Sequence, residues 1–172
     1  MSIELEAWAP RLYRFALRLC GDRHAAEDLT QETLLRAWRQ RGRLRDQGAL
    51  RVWLFRIAVN LWNDQLRRGR LQVAAAGPLA GDEASPAPTP EKLAAGREEL
   101  ERALRVLAEL PPRQREVLYL STCEGLSSAE VAEVLGISAD AAKANLALSR
   151  NKVRQQLPEQ FSDPSLARNR NP

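Results

Sequence analysis

The sequence predicts an all-α protein of two small helical domains joined by a flexible linker, with a helix-turn-helix in the C-terminal domain. Ala, Leu, Glu and Arg dominate long stretches with apolar residues at helical spacing, and the alternating β-branched pattern of strands is nearly absent. A Pro- and Gly-rich segment divides the chain near its middle. The 172 residues, 44% of them apolar, suffice for one domain or two small ones with a buried core.

Three helices are predicted before the linker. The first ends at Gly21, Asp22 can cap the second over about residues 23–39, and the third covers about residues 49–68. The apolar positions of these helices are Leu12, Phe15, Ala16 and Leu19, then Leu29, Thr33, Leu34, Ala37 and Trp38, then Leu50, Trp53, Leu54, Ile57 and Leu61. Since each set follows a helical period, the three helices can share a single core.

A linker is predicted after the third helix. Residues 72–91 include Pro78, Pro86, Pro88 and Pro90 and almost nothing that could form a core. We therefore expect domains at residues 1–71 and 98–160, a linker at 72–97 and a loose tail at 161–172. The alternative is an ordered loop that crosses one compact domain.

The C-terminal domain is predicted to contain four helices. An apolar stripe over residues 100–107 precedes Pro111 and Pro112, and a second stripe over residues 117–120 leads into a pair of short helices. The domain would be a four-helix unit of about 60 residues.

The pair of short helices has the pattern of a helix-turn-helix. Ser127 and Glu130 have the spacing of a capping box, Gly136 suits a left-handed helix end, and Ser138 can cap the next helix. The outer face of that helix can carry cations toward DNA phosphates, namely Lys143, Arg150 and Arg154. A packed helical hairpin without DNA binding is the alternative for this segment alone.

The charge distribution favours an anionic partner for the N-terminal domain. Residues 1–70 contain 14 arginines against 8 acidic residues, and the sequence pI is near 9.6. An Arg-rich surface is also common in proteins from GC-rich genomes, where it serves only solubility.

The cysteines and the single histidine exclude common metal and disulfide frameworks. Cys20 and Cys123 are far apart and His24 stands alone, so we expect no zinc site and no disulfide. Two buried, reduced thiols fit a reducing compartment. The sequence has no evident export signal and no long apolar run, so we expect a cytoplasmic protein without membrane insertion.

Acidic residues cluster on the second helix. Asp28, Gln31 and Glu32 lie within one turn and face the same way. Uncompensated acids on an Arg-rich domain indicate a basic partner. The alternative is a solvated face with acids near a helix N-terminus.

The third helix and the loop before it favour unpaired nucleic acid. A polar stripe on this helix consists of Arg56, Asn60, Asn63 and Arg67. Beside it, Phe55 and Trp62 could stack on unstacked bases, although each aromatic residue alone is better explained as core. The loop at residues 39–48 adds four arginines that could close over a phosphate backbone.

Three stretches resemble bacterial RNA polymerase sigma factors. AEDLTQETLLRAW and WLFRIAVNLWNDQLRR are similar to the second conserved region of that family, and LPPRQREVLYLSTCEGLSSAEVAEVLGIS with the basic final helix is similar to the fourth. The short linker, with nothing like the third region, resembles the extracytoplasmic-function (ECF) group. The resemblance covers roughly residues 8–70 and 98–157.

The resemblance implies a role for each matching position. Asp28, Gln31 and Glu32 match the face that binds the clamp helices of the polymerase β′ subunit. Positions implied in melting the -10 promoter element and holding a flipped base are Arg39, Arg41, Arg43, Leu44, Arg56, Asn60, Asn63 and Arg67. Leu44 stands where the family usually has a larger aromatic residue. Positions implied at the -35 element are Ser138, Lys143, Asn145, Arg150 and Arg154.

The resemblance also implies partners and a regulator. They are core RNA polymerase, through its β′ clamp helices and β flap, promoter DNA, and an anti-sigma factor that masks the binding faces. No cofactor, metal or catalytic residue is implied.

The reading helix departs from the family pattern. Asn145 and Leu148 stand at two positions that are usually basic. Each lost phosphate contact weakens binding. It also lowers by about one the salt slope, which is the slope of the logarithm of the binding constant against the logarithm of the salt concentration. We therefore expect modest -35 affinity and a heavier dependence on the -10 element and core enzyme.

Two other functions fit less of the sequence. A DNA-binding regulator of the two-component or quorum-sensing type would explain the helix-turn-helix but not the acidic face or the polar stripe upstream. A hydrolase or metal enzyme would need clustered histidines, paired acids in a pocket or a Gly-rich phosphate loop, which the sequence lacks.

Overall fold

The computed structural model describes residues 5–44, 46–69 and 102–157. The predicted linker at 72–97 and the tail at 161–172 lie outside these residues. Within them the chain forms helices and turns and no β-strand, which confirms the all-α prediction.

The N-terminal domain contains three α-helices. A short 3-10 turn, Glu6–Trp8, precedes α1 (Ala9–Cys20), α2 (Arg23–Gln40) and α3 (Leu50–Arg67). Two further 3-10 turns, Arg41–Arg43 and Gln47–Ala49, lie between α2 and α3.

The predicted helix end at Gly21 and the predicted cap at Asp22 both form at the junction of α1 and α2. Gly21 ends α1 with φ 68°, a left-handed conformation that glycine adopts without a steric penalty. The Asp22 carboxylate then accepts a hydrogen bond from the Ala25 backbone N–H at 2.8 Å and caps α2.

The C-terminal domain contains the remaining helices. Residues 102–108 are helical (α4), and they are followed by α5 (Pro112–Thr122), α6 (Ser128–Leu135) and α7 (Ala139–Gln156). Pro112 is the first residue of α5, a position where proline leaves no helical hydrogen bond unmade.

The N-terminal core is centred on two aromatic rings. Phe15 of α1 and Phe55 of α3 are fully buried and meet edge to face, with ring centroids 5.0 Å apart. This geometry contributes roughly 1 kcal/mol beyond the burial of apolar area.

The two domains are in contact in the structure. Apolar residues of α5 and α6, including Val117, Leu120 and Val131, belong to the same buried cluster as the N-terminal core. Three ion pairs join the domains at the edges of this cluster: Arg11 with Glu124 and Arg51 with Glu130, each at 2.6 Å, and Arg18 with Glu124 at 3.5 Å. We refer to this region as the interdomain contact.

The prediction of two buried thiols holds for Cys20 and is wrong for Cys123. Cys20 lies in the core, and burial, with a smaller effect of Asp22, raises its pKa to about 12. Cys123 is exposed at the end of α5, because the chain there turns Glu124 toward the interdomain contact instead.

Candidate protein and nucleic-acid interfaces

A groove between α2 and α3 contains the predicted acidic face. The residues that line it are Asp28, Gln31, Glu32, Leu35 and Arg36 of α2 and Leu61, Asp64, Gln65 and Arg68 of α3. The structure therefore brings the three predicted residues together on one surface and adds a second wall from α3. We call this surface the α2–α3 groove.

The α2–α3 groove combines carboxylates, an exposed apolar side chain and an unpaired acceptor. The Oε1 atom of Gln65 is buried and has no hydrogen-bond partner among the described residues. Because this atom is itself buried, a binding partner reaches it only if the side chain moves, and the acceptors open to a partner are carboxylates such as that of Asp28. Leu35 is 49% exposed in the same groove. The groove therefore suits a partner that brings both donors and apolar contacts.

Sequence reasoning missed the α3 wall of this groove. Periodicity groups residues on one helix, but it does not say which residues of a neighbouring helix face them. Gln65 follows the predicted stripe residue Asn63 by two positions, and only the packing of α3 against α2 places it beside Glu32 in one groove.

The polar stripe of α3 is only partly open to solvent. Arg56 and Asn60 are exposed, and Arg67 is exposed but paired with Asp64. Asn63 is half-buried and lies beside Glu116 of α5. The interdomain contact therefore covers part of the surface predicted to meet the -10 element.

Phe55 and Trp62 belong to the core, which was the better explanation of each residue alone, and the stacking role considered for them is wrong. Both are buried in the core, at 0% and 2% exposure. Trp38, which sequence reasoning placed in the core, is instead 54% exposed, and the Arg41 guanidinium lies 4.1 Å from its ring centroid. Arg41 also donates a hydrogen bond to the Trp38 carbonyl at 2.8 Å. The exposed aromatic platform therefore lies at the end of α2.

The loop after α2 continues this platform. Arg39, predicted to lie in this loop, is exposed in the last turn of α2, and Leu44 of the loop is half-buried. Asp46 accepts a hydrogen bond from the Gly48 N–H at 2.8 Å, which tightens the turn into α3. Of the other predicted loop residues, the Arg43 side chain and Arg45 lie outside the described atoms.

The helix-turn-helix prediction is confirmed in its capping details. The Ser127 hydroxyl accepts from the Glu130 N–H at 3.3 Å, and Glu130 accepts from the Ser127 N–H at 2.8 Å. Gly136 ends α6 with φ 64°, and the Ser138 hydroxyl accepts from the Ala141 N–H at 3.1 Å.

Packing fixes which face of α7 is available to DNA. Ala142, Ser149 and Val153 are buried, and the Ser149 hydroxyl shares its proton between the Asn145 carbonyl of α7 at 2.6 Å and the Gln114 carbonyl of α5 at 3.0 Å. The three predicted phosphate-binding cations are all exposed: Lys143, Arg150 and Arg154. Ser138 is exposed at the helix start, where it is the N-cap.

Asn145 differs from the other predicted reading residues. It is half-buried, and its side-chain N–H donates to the Ala141 carbonyl at 2.8 Å. One of the two N–H groups of this amide is therefore already bonded within its own helix.

Two carboxylates of the C-terminal domain are buried, those of Glu116 and Glu124. Burial raises the pKa of Glu116 above its ordinary value, against the opposing effect of Arg113, whose guanidinium donates to it at 3.1 Å. Glu124 is 4% exposed and lies 2.6 Å from Arg11 and 3.5 Å from Arg18 of α1.

The described part of the chain contains neither a candidate metal site nor a candidate membrane-spanning helix. No group of His, Cys, Asp or Glu residues there could hold a metal ion. None of the helices described there is long and apolar enough to cross a bilayer.

A three-helix domain with the α2–α3 groove and a helix-turn-helix domain define a class of transcription protein. Comparison with known protein families identifies that class. Residues 5–72 match the family described as Sigma-70 region 2, and residues 100–153 match Sigma-70, region 4. The chain therefore belongs to the sigma-70 family of RNA polymerase sigma factors, and its relatives place it in the ECF group.

Individual relatives agree with this assignment. The chain is 36% identical over 151 residues to the ECF RNA polymerase sigma factor SigL of Mycobacterium tuberculosis, covering 86% of this chain and 83% of SigL. It is also 36% identical over 154 residues to the probable RNA polymerase sigma factor RfaY of Xanthomonas campestris. That match covers 85% of this chain but only 37% of RfaY, so the chain spans little more than a third of that relative.

A solved structure has the same fold. The sigma factor RpoE of Bartonella quintana, in complex with the anti-sigma factor NepR, superposes with a TM-score of 0.72 at 27% identity. The match covers 91% of this chain and 95% of that one.

Proposed function

We propose that this chain binds core RNA polymerase, directs it to promoters with -10 and -35 elements and helps to open the DNA. The observation that carries the proposal is the presence on one chain of the α2–α3 groove, the polar face of α3 beside it and a helix-turn-helix. It would act by binding, without catalysis of its own and without a cofactor, in the cytoplasm where transcription takes place.

The α2–α3 groove is the proposed polymerase-binding site. Asp28, Gln31 and Glu32 would meet basic and polar side chains of the β′ clamp helices. The exposed Asp28 carboxylate and the exposed Leu35 support this role, because a protein helix can supply both a donor and an apolar side chain.

The end of α2, the following loop and the exposed part of α3 form the proposed -10 surface. Its residues would be Arg39, Arg41, Arg43, Leu44, Arg56, Asn60, Asn63 and Arg67, with Trp38 as an added stacking platform. Extruding a base costs a few kcal/mol, so a surface that binds only the unstacked base favours the open strand. Access to Asn63 would require the interdomain contact to loosen.

The C-terminal domain is the proposed -35 and β-flap module. Ser138, Lys143, Arg150 and Arg154 would hold the duplex, and Asn145 would contribute through the amide groups that its bond to Ala141 leaves free. Domain limits at 1–71 and 98–160, with a linker at 72–97, fit a protein whose two DNA-binding surfaces must reach separate promoter elements.

An anti-sigma factor is the proposed regulator. The support is the fold shared with RpoE, which was solved as a complex with the anti-sigma factor NepR. Such a partner would hold both domains while they are close together.

A binding assay tests the polymerase site. We expect Glu32→Lys to weaken binding of the full chain to core RNA polymerase by at least about tenfold, since like charges across an interface repel. The matched control is Glu27→Lys, which reverses an exposed acid on the same helix outside the groove. Equal binding by the two variants would refute the assignment of the groove.

A further inference from the structure

The exposed face of α7 has an apolar patch where a DNA-reading helix usually carries polar groups. Leu148 is 55% exposed, one of three large hydrophobic residues so exposed in the described part of the chain. Ala144 is exposed one turn before Leu148, at position i−4, and Ala147 is exposed one turn after Ala144, so Ala144 connects the other two on the surface. We call these three residues the α7 apolar patch.

The register of α7 makes this exposure a fixed property of the domain. Its opposite face is held by the burial of Ala142 and Val153 and by the bond from Ser149 to Gln114. Rotation of the helix to hide Leu148 would break these contacts. The patch therefore stays on the face that a helix-turn-helix presents to DNA.

The polar side chains of Asn145 and Lys143, beside the patch, each have a partner within α7. The Asn145 amide donates to Ala141, and Lys143 lies 3.8 Å from the Asp140 carboxylate. Lys143, Arg150 and Arg154 follow one edge of the exposed face, where they suit phosphates. Over residues 144–148 the one polar side chain is Asn145, which is half-buried and has one amide N–H bonded to Ala141, so the exposed surface there is mainly apolar.

A methyl group is the base feature that such a surface can recognise. In the major groove, thymine presents a C5-methyl group, and small apolar side chains contact it. Guanine presents two acceptors that call for an arginine or lysine, which Leu148 cannot replace. The cations along one edge of the patch argue that the occupant is DNA, since they would hold the phosphate backbone beside the contact.

We propose that Leu148, flanked by Ala144 and Ala147, reads thymine methyl groups in the upstream promoter element. The inference rests on the proposed promoter-binding function of the C-terminal domain. It predicts an upstream element selected for thymine at the position opposite Leu148. Removal of one methyl group there should weaken binding by about fourfold, the equivalent of one buried methylene.

The test uses the full chain bound to core RNA polymerase and promoter duplexes selected from a library randomised over the upstream element. Each thymine of that element is then replaced singly by deoxyuridine, which removes only the methyl group. We expect about a fourfold loss at one or two positions for the unmodified chain and no loss for Leu148→Ala. Leu148→Arg should instead select guanine at that position.

The matched control on the same helix is Lys143→Ala. It should weaken binding to all duplexes alike and lower the salt slope by about one. The ratio of the affinities for the thymine duplex and the deoxyuridine duplex should stay unchanged. Two results would overturn this inference alone. One is sequence-selective binding whose affinity does not change when thymine is replaced by deoxyuridine; the other is an affinity loss on that replacement that persists in Leu148→Ala. Failure of the complex to select any duplex overturns the proposed function as well.

Discussion

Glu130 joins the two domains and caps a helix with the same carboxylate. Its Oε1 accepts from the Arg51 guanidinium of α3 at 2.6 Å, and its Oε2 accepts from the Ser127 N–H at 2.8 Å. The start of the helix-turn-helix is thus coupled to the N-terminal domain.

The two roles of Glu130 can be separated by substitution. Glu130→Gln keeps an acceptor for the capping box, whereas Glu130→Ala removes it. We expect Glu130→Ala to lower the free energy of unfolding by about 1 kcal/mol more than Glu130→Gln, measured by urea denaturation. Glu133→Ala, an exposed acid on the same helix, should have little effect. Equal losses for the two Glu130 variants would show that the capping box adds nothing.

The Glu130 pair also predicts a pH dependence. Partial burial opposes ionisation, but the hydrogen bonds from Ser127 and Arg51 outweigh it and hold the pKa of Glu130 below its ordinary value of 4.5. The charged form is therefore the stabilised one, and its contribution is complete above pH 4.5 and is lost as the pH falls through the lowered pKa. The difference in thermal midpoint between the unmodified chain and Glu130→Gln should shrink in acid. A difference that is constant from pH 7 to 3 would contradict this coupling.

Glu124 should hold the interdomain contact closed. Its buried carboxylate faces Arg11 and Arg18, so Glu124→Gln removes the charge that these arginines pair with and leaves the side-chain shape nearly unchanged. We expect small-angle X-ray scattering to show a larger radius of gyration than the ~16 Å of a compact chain of this length. Asp140→Asn is the control, since that side chain is 96% exposed. An unchanged radius in Glu124→Gln would mean that the apolar cluster alone keeps the domains together.

Gly136 should be required by its backbone conformation alone. A Cβ atom there would meet no atom within 4 Å, but φ is +64°, so an alanine is strained by its own backbone. We expect Gly136→Ala to lower the free energy of unfolding by about 1–2 kcal/mol. Gly42→Ala, where a Cβ also meets nothing and φ is not left-handed, should cost nothing. Equal unfolding free energies for the two variants would contradict this account of the turn.

Local signals predicted the helices well. The caps at Asp22, Ser127 and Ser138 and the helix end at Gly136 depend on residues within four positions of each other, so the sequence contains all of the relevant information. The acidic face of α2 was predictable for the same reason.

Properties that depend on helix packing were not predictable in this way. Trp38 and Phe55 both occupy apolar positions of a helical pattern, yet one is exposed and the other is fully buried. Cys123 and Glu124 are adjacent, and the polar one is the buried one because α1 supplies its arginines. The Gln65 wall of the α2–α3 groove likewise depends on which helix lies opposite.

Runoff transcription tests the central claim most directly. Purified core RNA polymerase with the full chain, on a promoter library, should give discrete transcripts that core polymerase alone does not. Asp28→Lys should abolish them through loss of recruitment, and Asn60→Ala should reduce strand opening while polymerase binding persists. Transcripts that do not depend on the chain, or a chain that never associates with core polymerase, would contradict the account.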